Sequence, residues 1–211
     1  MTPHRRLTPA ERRVVARCRT PFQTQRWIKS LRYNWERESE TLRSFRGVVR
    51  HRKAHCLEAA LAAATVMEQH GLPPLLLDLE SRDHLDHVVF PFRSHGGWGA
   101  VAGSRDVGLW GRKPAFRTLE ALARSYYEPY IDLTGRITGY ALVDLRDLDP
   151  YDWRLSDRNV WKVERILIDA PHRPIPTSDR RYIRLREQYR KFIETNDPRD
   201  TPFKDGRRHW M

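Results

Sequence analysis

Residues 55–64 read His-Cys-Leu-Glu-Ala-Ala-Leu-Ala-Ala-Ala, a run of strong helix formers with a cysteine near its start. So many alanines predict a helix packed closely on all sides, and Gly71 predicts where it ends. At a helix start, the dipole stabilises a thiolate and free backbone N–H groups can bind an oxyanion. Cys56 is therefore the candidate nucleophile.

Three short apolar segments follow this helix, separated by polar or glycine-containing turns, and they predict adjacent antiparallel strands at residues 75–79, 88–92 and 98–101. His87 stands at the start of the second strand, where an imidazole can lie across from the thiol. The third strand leads into residues 103–106, so Asp106, or Ser104 in its place, can accept the imidazole N–H and fix its tautomer. The chain thus presents a cysteine, a histidine and an acid in that order.

Helix signals also precede this region. Thr8-Pro9-Ala10-Glu11 is a capping box that predicts a first helix to about Cys18, and Thr20-Pro21 predicts the start of a second. Residues 33–53 lose the helical period and become polar and basic, which predicts an exposed loop. Further along, the pattern predicts a helix over residues 118–127 and a strand over residues 139–143.

The chain divides, on these patterns, into an N-terminal helix (1–19), a main domain (20–148) and a C-terminal extension (149–211). Within the extension, residues 160–168 fit a strand or a helix, and prolines 171, 174 and 176 predict a stiff connector. An amphipathic helix starting at residues 177–179 follows. The last fifteen or so residues are expected to be frayed.

The composition favours a cytoplasmic protein with one sizeable core. Its 211 residues are 39% hydrophobic, enough for one compact domain, and the arginine-rich first nineteen residues do not resemble an export signal. The longest apolar run, near residues 57–67, is shorter than the roughly 20 residues that cross a bilayer, so no membrane contact is expected. Cys18 and Cys56 are too few for a disulfide scaffold and are interpreted as free thiols.

The formal net charge is +12, which favours anionic partners. The positive residues are spread over several segments, and no zinc-finger spacing, RNA-recognition signature or basic zipper accompanies them. Nucleic-acid binding is therefore the least favoured alternative, and an acidic peptide or other anionic substrate is favoured over a basic one.

Three of these features together resemble the transglutaminase-like (papain-like) superfamily of cysteine enzymes in its bacterial type. They are His-Cys-x-Glu-Ala-Ala before a long helix, a strand opening with Asp86-His87-Val88, and a strand of the form Trp98-x-x-Val101. Residues 22–28 and 33–36 also resemble the segment upstream of the cysteine in bacterial members, so the likeness covers about residues 20–145.

The resemblance implies an α+β fold in which N-terminal helices and a central cysteine helix pack on an antiparallel β-sheet. It also implies a cofactor-free amide or peptide hydrolase or acyltransferase, with Cys56 as nucleophile, His87 as general base and Asp106 as orienting group. This chain has Ala54 where the family commonly has glycine, and Ala102 where its acid usually follows the strand. A catalytically inactive binding or scaffold protein of the same fold is the alternative.

Other interpretations of the site residues stay open. Cys56 can be a small buried hydrophobe, and Asp106 an ordinary turn residue. The histidines near Cys56 lack the paired ligand spacing of a structural zinc site, so no metal or cofactor is expected. Gln23 and Gln25 are expected to face solvent. The sequence leaves the substrate, the choice between hydrolysis and acyl transfer, and the oligomeric state open.

Overall fold

A computed structural model describes residues 6–211, so the first five residues of the predicted segment 1–19 lie outside the described residues. Helices α1 (Pro9–Arg17) and α2 (Pro21–Lys29) begin at the predicted capping boxes, each with proline in its first turn. Gln25, expected to face solvent, is instead buried, and its side-chain amide exchanges two hydrogen bonds with the backbone of Ala102.

The segment 33–53 is only partly the exposed loop that its composition predicted. Its ends form a two-stranded parallel pair, β1 (Arg32–Tyr33) with β2 (Lys53–Ala54), and helix α3 (Phe45–His51) lies between them. The helix buries Phe45 and Val48 completely. A seven-residue helix with two core-facing residues is too short to show a clear hydrophobic period, which explains the wrong prediction.

Helix α4 (Cys56–Glu68) is the central helix of the fold. Every residue from Leu57 to Met67 is buried, as the alanine-rich sequence predicted. Gly71, with a φ of +83°, follows the helix and takes the left-handed conformation that glycine adopts without steric cost. Small side chains let flanking helices and the sheet approach α4 closely, which confirms the prediction of a tightly packed cysteine helix.

A six-stranded antiparallel sheet forms the other main layer, with strand order β6-β5-β4-β3-β7-β8. Three strands fall where the apolar segments predicted them, and the fold is α+β. The bounds are β3 Leu75–Ser81, β4 His87–Ser94, β5 Gly97–Val101, β6 Arg112–Phe116, β7 Ile137–Asp144 and β8 Arg173–Pro174.

Alternation along the strands divides the interior into two cores, since successive side chains point to opposite faces. Leu76 and Val88 pack with α4 on one face, whereas Leu77 and Val89 join the core of the other. Helix α7 (Trp161–Ile168) contributes to the first core. The second core takes side chains from α5 (Leu119–Arg124), α6 (Tyr127–Tyr130) and α8 (Asp179–Ile193).

The segment after residue 148 does not build a core of its own. Trp153 is fully buried in the core around α4, and most of the ambiguous segment 160–168 forms helix α7 there. The last residues, expected to be frayed, are also fixed: Phe203 is buried, and the backbone N–H of Met211 donates to the Gly111 carbonyl at 2.9 Å. No local sequence pattern predicts that the end of the chain pairs with a loop distant in sequence.

In residues 6–211, no helix combines the length and apolar character needed to cross a membrane.

Candidate active site

Cys56 occupies the first position of α4, and His55 alone separates it from strand β2. Its side chain is partly exposed at the base of a cavity of about 500 Å³, and its thiol lies 3.8 Å from the backbone carbonyl oxygen of Asp86. The first N–H groups of a helix have no acceptor within the helix itself, so this end of α4 favours a negative charge. The structure thus gives Cys56 the helix-start position predicted from the sequence.

A buried carboxylate fixes the turn that holds Cys56. Glu58 is fully buried, and its Oε2 accepts the His55 N–H at 3.1 Å and the Asn34 side-chain amide at 3.1 Å. Its Oε1 accepts from the Thr41 hydroxyl at 3.1 Å, and from the Arg43 backbone N–H and guanidinium at 2.9 and 3.2 Å. The start of α4 is therefore tied to the segment 34–43 through one side chain.

His87 begins strand β4 and lies in the wall of the same cavity. The residue is 3% exposed, and its ring packs against Tyr126 with 5.6 Å between ring centroids. Its Nε2 lies 2.9 Å from the backbone carbonyl oxygen of Leu109, which only an N–H on Nε2 can satisfy. Nδ1 is then the nitrogen left to interact with the thiol of Cys56.

Two imidazoles act on Cys56. Burial disfavours the thiolate and raises the pKa of Cys56, but hydrogen bonds from His55 and His87 and the charges of both rings outweigh it and lower the pKa to about 5. At neutral pH the side chain is consequently a thiolate. Cys18, which is buried near Arg17 and Arg26, has its pKa raised by desolvation.

His55 is a site residue that the sequence analysis did not single out as functional. Its Nε2 lies 3.0 Å from the Thr41 carbonyl oxygen, which leaves Nδ1 for Cys56. Burial lowers the pKa of His55, but its hydrogen bond to Cys56 and the negative charges of Cys56 and Glu58 raise it to about 9. The only sequence signal was its position directly before the cysteine.

Asp106 lies in the cavity wall, but the imidazole of His87 has a different partner from the one predicted. The Asp106 carboxylate pairs with Arg105, with 3.3 Å between Oδ2 and Nε, and burial raises its pKa despite this cation. Ser104, the predicted competitor, accepts the backbone N–H of Asp106 at 2.9 Å. The backbone carbonyl of Leu109 accepts the imidazole N–H in place of Asp106. Every residue has a backbone carbonyl, so no residue type in the sequence indicates this role.

Tyr33 is a second residue that the sequence did not identify by role. It lies on β1 beside Ala54, lines the cavity and packs edge-on against Trp35 with 5.0 Å between ring centroids. Burial, followed by the negative charge of Cys56, raises the pKa of its hydroxyl. Tyr33 therefore remains a neutral O–H donor close to the thiolate.

The residues that the structure describes contain no group of three histidine, cysteine, aspartate or glutamate side chains arranged to hold a metal ion. The sequence was also compared with protein-family models and with curated proteins, and neither comparison gave a match. The chemistry of the site is therefore inferred from its geometry.

Proposed function

We propose that the protein is a cysteine-dependent amide or peptide hydrolase or acyltransferase of the transglutaminase-like (papain-like) class. The observation that carries the proposal is the position of Cys56 at the start of a buried helix, in a cavity that His55 and His87 also line, and both imidazoles lower its pKa. The packing of this helix on an antiparallel sheet supports the fold assignment, since the family resemblance implies that arrangement.

In the proposed reaction, the thiolate of Cys56 attacks the substrate carbonyl carbon. The negative charge that develops on the carbonyl oxygen is stabilised by first-turn N–H groups of α4 and by the hydroxyl of Tyr33. His87 gives the leaving amine the proton that it holds on Nδ1, which it took from the Cys56 thiol, and an acyl-thioester forms at Cys56. Water or an acceptor amine then attacks the thioester while His87 removes its proton, which restores the thiolate.

Hydrogen bonds to backbone carbonyls hold both imidazoles in the geometry that this reaction needs. The Leu109 carbonyl accepts Nε2–H of His87, so Nδ1 is the nitrogen that takes the proton of the Cys56 thiol and passes it on. His55, whose pKa is raised to about 9, stays positively charged while His87 exchanges its proton. The two histidines are therefore assigned different roles: His55 stabilises the thiolate and His87 transfers protons.

The test is an acyl-enzyme burst with an activated ester, p-nitrophenyl acetate. We expect a burst of about one equivalent of p-nitrophenol and an acetyl adduct on Cys56, both absent in Cys56→Ser. Cys18→Ser is the matched control, since it removes the other thiol, and it should keep the burst. A folded wild-type protein with no burst and no adduct on Cys56 would favour the alternative of a binding or scaffold protein.

A further inference from the structure

A side cavity of about 270 Å³ adjoins the cavity at Cys56. The two cavities share the walls formed by Tyr33, Trp35, Ser104, Arg105 and Arg199. The floor of the side cavity is made of small residues, where Gly103 approaches Ala59 so closely that an added Cβ would lie 2.6 Å from the alanine methyl. A substrate that reaches Cys56 can therefore extend into this second space.

The two cavities differ in charge. The cavity at Cys56 has five carboxylates in its walls, from Glu36, Asp86, Asp106, Asp132 and Asp200. Among the residues that the structure describes, the side cavity is lined by three cations and by no acidic side chain; the cations are Lys29, Arg105 and Arg199. A ligand that occupies the side cavity consequently meets positive charge and aromatic walls.

Lys29 is the cation most available to a ligand. No carboxylate of residues 6–211 forms an ion pair with it, whereas Arg105 pairs with Asp106 and Arg199 pairs with Asp197. Its Nζ instead lies 5.5 Å from the ring centroid of Trp110, and burial lowers its pKa. Lys29 is exposed, so a ligand carboxylate can form an ion pair with it without displacing a carboxylate of the protein.

We propose that the side cavity binds an acidic side chain of an extended peptide substrate, at a position close to the residue whose carbonyl is attacked by Cys56. Lys29 and Arg105 attract the carboxylate, and Trp35 and Trp110 pack against its methylene groups. The inference rests on the proposed acyl-transfer function and adds a substrate preference to it. The preference for an acidic side chain applies to the side cavity only, because the carboxylates around Cys56 repel an anion placed in the cavity at Cys56.

The test measures binding without turnover, in the Cys56→Ser variant of the 211-residue chain. The probes are fluorescein-labelled hexapeptides that differ only in two central residues, which are both glutamate, both glutamine or both lysine. By fluorescence anisotropy at low salt, we expect the glutamate peptide to bind about fivefold more tightly than the glutamine peptide, and the lysine peptide most weakly. The difference should shrink at high salt, because the cations of the side cavity are exposed.

Lys29→Gln in the same background should reduce the preference for glutamate by about threefold. Lys113→Gln is the matched control: this exposed lysine on β6 lies outside the side cavity and should leave the preference unchanged. Equal affinity for the three peptides, or equal effects of the two variants, would overturn the proposal. Tighter binding of a labelled single-stranded oligonucleotide, lost in Lys29→Gln, would overturn it in favour of a nucleic-acid ligand.

This measurement separates the subsite from the reaction. A glutamate preference that depends on Lys29, in a protein without an acyl-enzyme burst, would leave the subsite standing and overturn only the proposed chemistry. A burst without the glutamate preference would leave the proposed chemistry standing and overturn only the subsite.

Discussion

Replacing Glu58 by glutamine tests whether this buried carboxylate holds the site together. Oε1 accepts three hydrogen bonds and Oε2 accepts two, so whichever oxygen becomes an NH₂ group, at least two donors lose their acceptor. A buried donor left unsatisfied costs about 1–3 kcal/mol. We therefore expect Glu58→Gln to lower the free energy of unfolding by about 3 kcal/mol, measured by urea denaturation, and to lower the Tm by about 6–12 °C.

Glu68→Gln is the matched control at the other end of the same helix. Glu68 also pairs with an arginine, Arg154, through contacts of 2.6 and 2.7 Å, but both side chains are partly exposed, at 23% and 22%. Water can replace a partner there, so the loss should be at most about 1 kcal/mol. Equal losses in the two variants would refute the reasoning, because Glu58 is buried and accepts five hydrogen bonds, whereas Glu68 is partly exposed and accepts two.

Two further predictions concern side chains around the thiolate. Tyr33→Phe should lower kcat for an amide or ester substrate about 100-fold with KM nearly unchanged, since it removes one oxyanion donor; steady-state kinetics check this, and an unchanged kcat would exclude that role. His55→Gln should raise the pKa of Cys56 from about 5 toward its ordinary value of 9.0, because a persistent positive charge is lost. A pH titration of the thiolate ultraviolet absorbance measures this shift, and an unmoved midpoint would show that His87 alone stabilises the thiolate.

The central helix and the strand that carries His87 could be predicted because their signals are local. An alanine run with cysteine at its start specifies a buried helix, and short apolar segments between turns specify strands. The order of Cys56 and His87 along the chain then predicted that they meet, and the structure brings both into one cavity.

The partners that complete the site were not predictable in the same way. The imidazole of His87 is oriented by the backbone carbonyl of Leu109, and a carbonyl carries no residue signature. Glu58 looked like one more helix former, and its role depends on residues 34–43, which adopt no periodic pattern. Long-range hydrogen bonds of this kind follow from tertiary packing rather than from local propensity.

The pH dependence of alkylation by iodoacetamide tests the thiolate at Cys56 most directly. The pKa of Cys56 is lowered to about 5, so its reaction rate should rise through this pH and be near its maximum at about pH 7, followed by peptide mass spectrometry. Cys18, whose pKa is raised above 9.0 by burial, should react slowly at about pH 7 in the same sample.

His87→Ala should move the Cys56 profile to higher pH and leave that of Cys18 unchanged, since only Cys56 loses an imidazole partner. Matching profiles for the two cysteines in the folded protein, with no response to His87→Ala, would contradict the account.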